Sequence, residues 1–98
     1  MTLQEREAQA CAIIDNMARE LRKLSLYLHD NPELGLDEHK AVKVINEFLE
    51  THNFTSQVGL TDLPELQTAL QGDYNSTAQH KIAFLGEYDA LPELGHGC

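Results

Sequence analysis

Positive charge is scarce in this sequence, above all in its second half. The 98 residues include 7 lysines and arginines against 16 aspartates and glutamates, which gives a formal net charge of -9. From residue 53 onward the sequence contains a single Lys or Arg, Lys81. A surface this acidic repels phosphate backbones and anionic lipid headgroups. We therefore expect neither a nucleic-acid partner nor a membrane partner.

Long apolar runs and cysteines are also scarce. No apolar run approaches the ~20 residues that a bilayer span requires. Residues 1–20 carry charges throughout, so no secretory signal is predicted there. Two cysteines are too few for a disulfide framework. With 42% hydrophobic and 23% charged residues, the composition is typical of a globular domain, and we expect a cytoplasmic protein.

Two amphipathic helices are predicted in the first half. Residues 2–29 carry an apolar stripe at three- and four-residue steps, and Thr2 with Glu5 is typical of a capping box. Pro32 ends this helix, because the residue before a proline is pushed out of the α region. Asp37 is the predicted N-cap of the second helix, which runs to about residue 52. Its predicted apolar face is Ala41, Val44, Ile45, Phe48 and Leu49.

Three short strands are predicted in the second half, over residues 54–60, 66–70 and 81–88. The last is the clearest, since residues 82–85 are apolar on both faces, as in a central strand that is covered on both sides. Two helices followed by about three strands indicate an α/β fold.

Acidic, imidazole and thiol side chains follow the last predicted strand. Glu87 and Asp89 come directly after Gly86, and His96 and Cys98 alternate with glycines. Imidazole, thiolate and carboxylate groups are the ligands that zinc and related metals use in proteins. This pattern indicates the beginning of a metal site, although a complete site takes at least three protein ligands.

Structural interpretations of the same residues stay open at this point. Asp89 is equally well placed to cap a turn with its side chain, and Cys98 can be a thiol without a function. A thiol-based activity at Cys98 is disfavoured, because the carboxylates of Glu87, Asp89 and Glu93 oppose the thiolate form. The remaining histidines have no partner at metal-ligand spacing and are interpreted as surface or helix-end residues.

Two segments resemble the zinc amidohydrolases, the metallopeptidases related to aminoacylase, hippurate hydrolase and p-aminobenzoyl-glutamate hydrolase. EYDALPELGHGC, residues 87–98, resembles the EYDALP…GHxCGH segment of that family. LHDNPELGLDEHKA, residues 28–41, is similar to the helix–turn–helix that precedes it in the family. With the first helix, the two segments cover nearly the whole chain. The likeness is greatest to the branch that contains the cytosolic β-alanyl-lysine dipeptidase.

The resemblance implies that residues 1–98 are the N-terminal segment of a metallopeptidase catalytic domain. Such a domain has a central mixed sheet flanked by helices, and an inserted lid or dimerisation domain that would allow a homodimer of the full-length protein. The implied activity is metal-dependent hydrolysis of an amide bond in a dipeptide or an N-acyl amino acid. The two divalent metals are usually zinc, and in some branches manganese.

The resemblance also assigns roles to individual residues. Asp89 matches the catalytic-site aspartate that supports the metals, and Cys98 matches a metal-ligand cysteine. His96 matches a supporting histidine, and Glu87 stands where other branches place a metal-binding histidine. The general-base glutamate and the other ligands have no counterpart in the 98 residues, so we expect the chain alone to be inactive. The alternative is a non-catalytic truncated isoform or interaction module that binds or regulates a full-length relative.

Overall fold

The computed structural model describes residues 1–60 and 62–92. These residues form two helices, α1 (Leu3–Asp30) and α2 (His39–Thr51), followed by two antiparallel strands, β1 (Thr55–Val58) and β2 (Leu70–Asp73). A short 3-10 helix, Pro64–Leu66, lies between the strands. The predicted α/β class is confirmed.

Helix α1 begins and ends where the local signals predict. The Thr2 hydroxyl oxygen accepts a hydrogen bond from the N–H of Glu5 at 3.1 Å, and the Asn31 side chain donates to the Tyr27 carbonyl at 2.9 Å. Within the described ranges, neither this helix nor any other is long and apolar enough to cross a membrane. The part of its apolar stripe that is half-buried consists of Met17, Leu21, Leu24 and Leu28.

The small core consists of Ala41 and Val42 of α2 together with Ala90, and α2 also packs against the sheet. Ala41 and Val42 are 2% and 6% exposed, although Val42 was not on the predicted apolar face. Gly72 of β2 approaches the helix so closely that a Cβ atom there would lie 2.9 Å from Cδ1 of Leu49. A side chain at position 72 would therefore force the Leu49 side chain to shift.

The N-terminus of α2 differs from the prediction. Asp37 was the wrong N-cap: the cap is Glu38, and its side chain makes no capping hydrogen bond. The carboxylate that satisfies the first helical amides comes from Glu33 instead, and it accepts from the N–H groups of Lys40 and Ala41. A local capping rule could not select Glu33, because the turn between the helices has to bring it back to the helix end.

The predicted strand over residues 66–70 was misplaced. Pro64 begins a 3-10 helix, because proline fixes φ at a value that a first helical position accepts. The strand starts later, at Leu70, and pairs with β1 in a register that sets Thr55 opposite Asp73. The predicted strand over residues 54–60 is confirmed in its central four residues.

The strand predicted over residues 81–88 is wrong. Among the described residues the sheet has two strands, and residues 81–89 belong to neither. The side chains of Ile82, Phe84 and Leu85 are 84%, 93% and 100% exposed. An apolar run forms a strand when a neighbouring backbone pairs with it, and within residues 1–60 and 62–92 no such neighbour lies beside this segment.

Gly59 is required by the conformation of the connection after β1. Its φ is 73°, and its N–H donates to the Ala69 carbonyl at 2.8 Å. An alanine there would be strained, so Gly59→Ala is expected to lower the free energy of unfolding by about 1 kcal/mol. Gly86→Ala is the matched control, because no atom lies within 4 Å of a Cβ built at Gly86. Equal urea midpoints for the two variants would contradict this prediction.

Candidate functional site

The two segments that carry the family resemblance are in contact. The N–H of Ala90 donates to the carbonyl of Glu33 at 2.6 Å, and Leu34 and Ala90 form an isolated parallel bridge. A Cβ atom built at Gly35 would lie 3.5 Å from Oδ2 of Asp89. The turn between the helices therefore lies against the predicted site aspartate.

Asp89 and Glu87 lie between two clefts. Both residues are exposed, and both line each cleft together with Tyr88. The first cleft has a volume of about 250 Å³ and is also lined by Glu38, Glu65 and Thr68. The second has a volume of about 220 Å³ and borders the C-terminal end of α1. Residues 87 and 89 therefore border both of these clefts.

The predicted ligand Cys98 and the predicted supporting residue His96 lie outside the described residues. Within residues 1–60 and 62–92, no three His, Cys, Asp or Glu side chains are grouped as a metal site requires. Glu87 and Asp89 therefore do not make a metal site with the other described side chains, and the part of the chain that is described does not by itself fit a metal.

The described histidines lie on the surface or at a helix end, as predicted. His39 and His52 pair with carboxylates, namely Asp37 at 2.8 Å and Glu20 at 3.0 Å. His29 lies 3.3 Å from Asp30, and His80 is exposed. His52 joins α2 to α1, so its role is structural.

A hydrogen-bonded chain on the wall of the first cleft was not predicted. The hydroxyl of Tyr88 donates to the carbonyl of Thr68, and the Thr68 hydroxyl donates to Oε1 of Glu38 at 3.0 Å. Thr68 is a buried polar residue, 3% exposed. Burial raises the pKa of Tyr88 above its ordinary value of 10.0, and the charge of Glu38 acts in the same direction. The tyrosine therefore stays protonated and remains a donor at neutral pH.

Glu33 is a second residue that the sequence interpretation missed. Its Oε2 accepts from the N–H of Lys40 at 2.9 Å, and its Oε1 accepts from the N–H of Ala41 at 2.8 Å. Partial burial opposes its ionisation, but the two amides, helped by the charges of Lys40 and His39, lower its pKa below the ordinary 4.5. The sequence feature that could have pointed to Glu33 is its position within residues 28–41, the segment that resembles the family. A helix N-terminus favours such a carboxylate.

Comparison with known proteins finds similarity to two dipeptidases over most of the chain. The protein named Xaa-Arg dipeptidase from Homo sapiens is 31% identical over 94 residues, which are 87% of this chain and 22% of the relative. The protein of the same name from Mus musculus is 34% identical over 96 residues, 92% of this chain and 22% of the relative. An uncharacterized hydrolase from Staphylococcus haemolyticus is 36% identical over 66 residues, 67% of this chain and 16% of the relative.

The chain is related to peptidase-like hydrolases. It spans about a fifth of the length of the curated dipeptidases that it matches. No family model matches the chain, and no solved structure is significantly similar to it. The similarity therefore supports a relationship to hydrolases, and two of the relatives are named dipeptidases.

Proposed function

We propose that this chain is a segment of a metal-dependent hydrolase that cleaves an amide bond in a dipeptide or an N-acyl amino acid. The observation that carries the proposal is the similarity to two dipeptidases over 87% and 92% of the chain. The contact between the Glu33–Leu34 turn and Asp89–Ala90 supports it, since the segments that resemble the family form one local unit. The cytoplasmic location stays a prediction.

In this proposal Asp89 supplies a carboxylate at the wall of the clefts, and Cys98 supplies a metal ligand. His96 and Glu87 have supporting roles. A bound divalent metal, zinc or manganese, would supply the Lewis acid of such a hydrolase. The metal is proposed from the family resemblance, because the described residues bring no ligand set together.

The exposed apolar segment supports the view that residues 1–98 belong to a larger catalytic domain. Ile82, Phe84 and Leu85 present their side chains to solvent, and each fully buried side chain of this size gains roughly 1.5–3 kcal/mol over an exposed one. Such a segment is stabilised when further polypeptide covers it. The proposed cover is the remainder of the catalytic domain, with the lid or dimerisation domain beyond it.

The 98-residue chain alone is expected to hydrolyse none of these substrates. The assay uses a dipeptide with C-terminal arginine, a β-alanyl dipeptide and an N-acyl amino acid, each with added zinc or manganese. Turnover should stay at the level of a metal-only blank, because the general-base glutamate and most of the metal ligands implied by the family resemblance have no counterpart in residues 1–98. Metal-dependent turnover by the chain alone would contradict the expected inactivity.

A chimera tests the hydrolase assignment itself. The segment of the mouse Xaa-Arg dipeptidase that aligns with this chain is replaced by residues 1–98, and cleavage of dipeptides with C-terminal arginine is measured. We expect the chimera to keep the activity of its parent, because under this proposal Asp89 and Cys98 take the same roles in both proteins. A chimera that is folded and loaded with metal but inactive would refute the assignment.

The second candidate is a non-catalytic interaction module that binds or regulates a full-length relative. The same exposed side chains at residues 82, 84 and 85 favour it, because they offer an apolar surface to a partner. The coding sequence after codon 98 separates the two candidates. An in-frame Gly-His continuation favours the hydrolase, whereas a stop codon with stable expression of the 98-residue chain favours the module.

A further inference from the structure

Asp89 is an exposed residue between two anchored neighbours. The residue before it, Tyr88, is half-buried, and the residue after it, Ala90, is buried. The segment that precedes them, residues 81–87, is exposed throughout. The chain is thus held at residues 88 and 90, on either side of the predicted site aspartate.

The anchor after Asp89 belongs to the turn between the helices. Ala90 donates its N–H to the carbonyl of Glu33 at 2.6 Å and pairs with Leu34 in a parallel bridge. The carboxylate of Glu33 is itself held by two amides of α2. The backbone after Asp89 is therefore tied to the start of α2.

The residue before Asp89 is anchored through its side chain, which bonds to a different part of the fold. Tyr88 donates its hydroxyl proton to the carbonyl of Thr68, in the connection between β1 and β2. Thr68 is fixed in turn by its own hydroxyl, which donates to Glu38 at 3.0 Å. Because Thr68 is 3% exposed, water cannot readily replace the tyrosine as a donor to that carbonyl.

We propose that Tyr88 is a positioning residue, whose hydroxyl bond to the Thr68 carbonyl, together with the Ala90–Glu33 bond, sets where the Asp89 carboxylate points. With both neighbours fixed to different parts of the fold, the backbone at Asp89 has little freedom, and its side chain lies beside Gly35. A site carboxylate has to be held by such supporting bonds if its geometry is to be productive. The role given to Asp89 rests on the proposed function.

The test compares Tyr88→Phe with Tyr74→Phe in the full 98-residue chain. Both variants lose one hydroxyl, but Tyr74 is exposed and its ring packs against Phe54 with centroids 5.3 Å apart. Amide hydrogen exchange is measured by NMR at Ala90 and at Gly59, whose N–H bonds the Ala69 carbonyl away from the site. The three-bond couplings that report χ1 of Asp89 are measured on the same samples.

We expect Tyr88→Phe to speed exchange at Ala90 by about five- to tenfold and to leave Gly59 unchanged. The Asp89 couplings should move towards rotamer-averaged values, and Tyr74→Phe should change neither quantity. The inference is overturned if Tyr88→Phe leaves Ala90 and the Asp89 couplings as in the parent chain. It is equally overturned if Ala90 and Gly59 exchange faster by the same factor, because the hydroxyl would then stabilise the fold without positioning Asp89.

Neither measurement uses hydrolytic activity. A negative result therefore rules out the positioning role of Tyr88 and does not bear on the hydrolase proposal, which the chimera tests. A chimera without activity removes the hydrolase proposal and does not affect the hydrogen bonds of Tyr88 and Ala90 on either side of Asp89.

Discussion

Replacing Asp89 by Asn in the dipeptidase chimera is expected to lower kcat/KM by about 10- to 100-fold, the usual effect of losing a group that supports a metal site. Asparagine keeps the volume and one acceptor oxygen of the side chain but removes its negative charge. Asp89 is exposed and lines both clefts, so the substitution removes a charge at the site without emptying a packed space. The measurement is steady-state kinetics on a dipeptide with C-terminal arginine.

Asp15→Asn is the control for this substitution. Asp15 is an exposed carboxylate on α1, away from the clefts, and its loss should leave kcat/KM unchanged. In the 98-residue chain, Asp89→Asn should alter the free energy of unfolding by no more than about 0.5 kcal/mol, as is usual for an exposed residue. If Asp89→Asn and Asp15→Asn chimeras are equally active, Asp89 has no role in the reaction.

Replacing Glu33 by Ala is expected to lower the free energy of unfolding by about 1–2 kcal/mol, the upper part of the range for a lost helix cap. The substitution leaves the amides of Lys40 and Ala41 without their carboxylate acceptor. Ala41 is buried, so water compensates poorly at that amide. Urea denaturation followed by circular dichroism gives the difference. Glu47→Ala, at an exposed position on the same helix, should cost much less, and equal losses would contradict a capping role.

The same carboxylate predicts how stability depends on pH. The folded-state pKa of Glu33 lies below its ordinary value of 4.5, so the folded chain favours the ionised form. Its stabilising contribution is complete above about pH 4.5 and is lost as the pH falls through the lower, folded-state pKa. Glu33→Gln has no such ionisation and should show a shallower loss of stability in acid. Parallel pH profiles for Glu33→Gln and the parent chain would contradict this assignment.

The two helices could be predicted because the forces that define them act within a few residues. Thr2 and Glu5 cap α1 at a separation of three residues, and Pro32 follows the end of that helix. The apolar stripe of α1 repeats at helical spacing, although only its C-terminal half is covered. The prediction of which side chains are covered was therefore weaker than the prediction of the helix, since coverage depends on what packs beside it.

The apolar residues of the segment 81–88 could not by themselves show whether that segment forms a strand. Ile82, Phe84 and Leu85 have the character of a buried strand, yet in the described structure they are exposed. A strand is stabilised by hydrogen bonds to a neighbouring backbone, and the sequence of one segment does not state whether that neighbour exists. The same apolar character supports both the larger catalytic domain and the interaction module.

Composition, periodicity and local capping signals predicted the α/β class, helix α1 with both of its ends, and helix α2 apart from its N-cap. They also predicted the residues to consider at the site, Glu87 and Asp89 among them. The bonds on either side of Asp89 are seen in the folded chain alone. The bonds from Ala90 to Glu33 and from Tyr88 to Thr68 join residues that are far apart along the chain. Such pairs leave no periodic or local pattern, because they form only after the turn, the hairpin and the last segment have packed together.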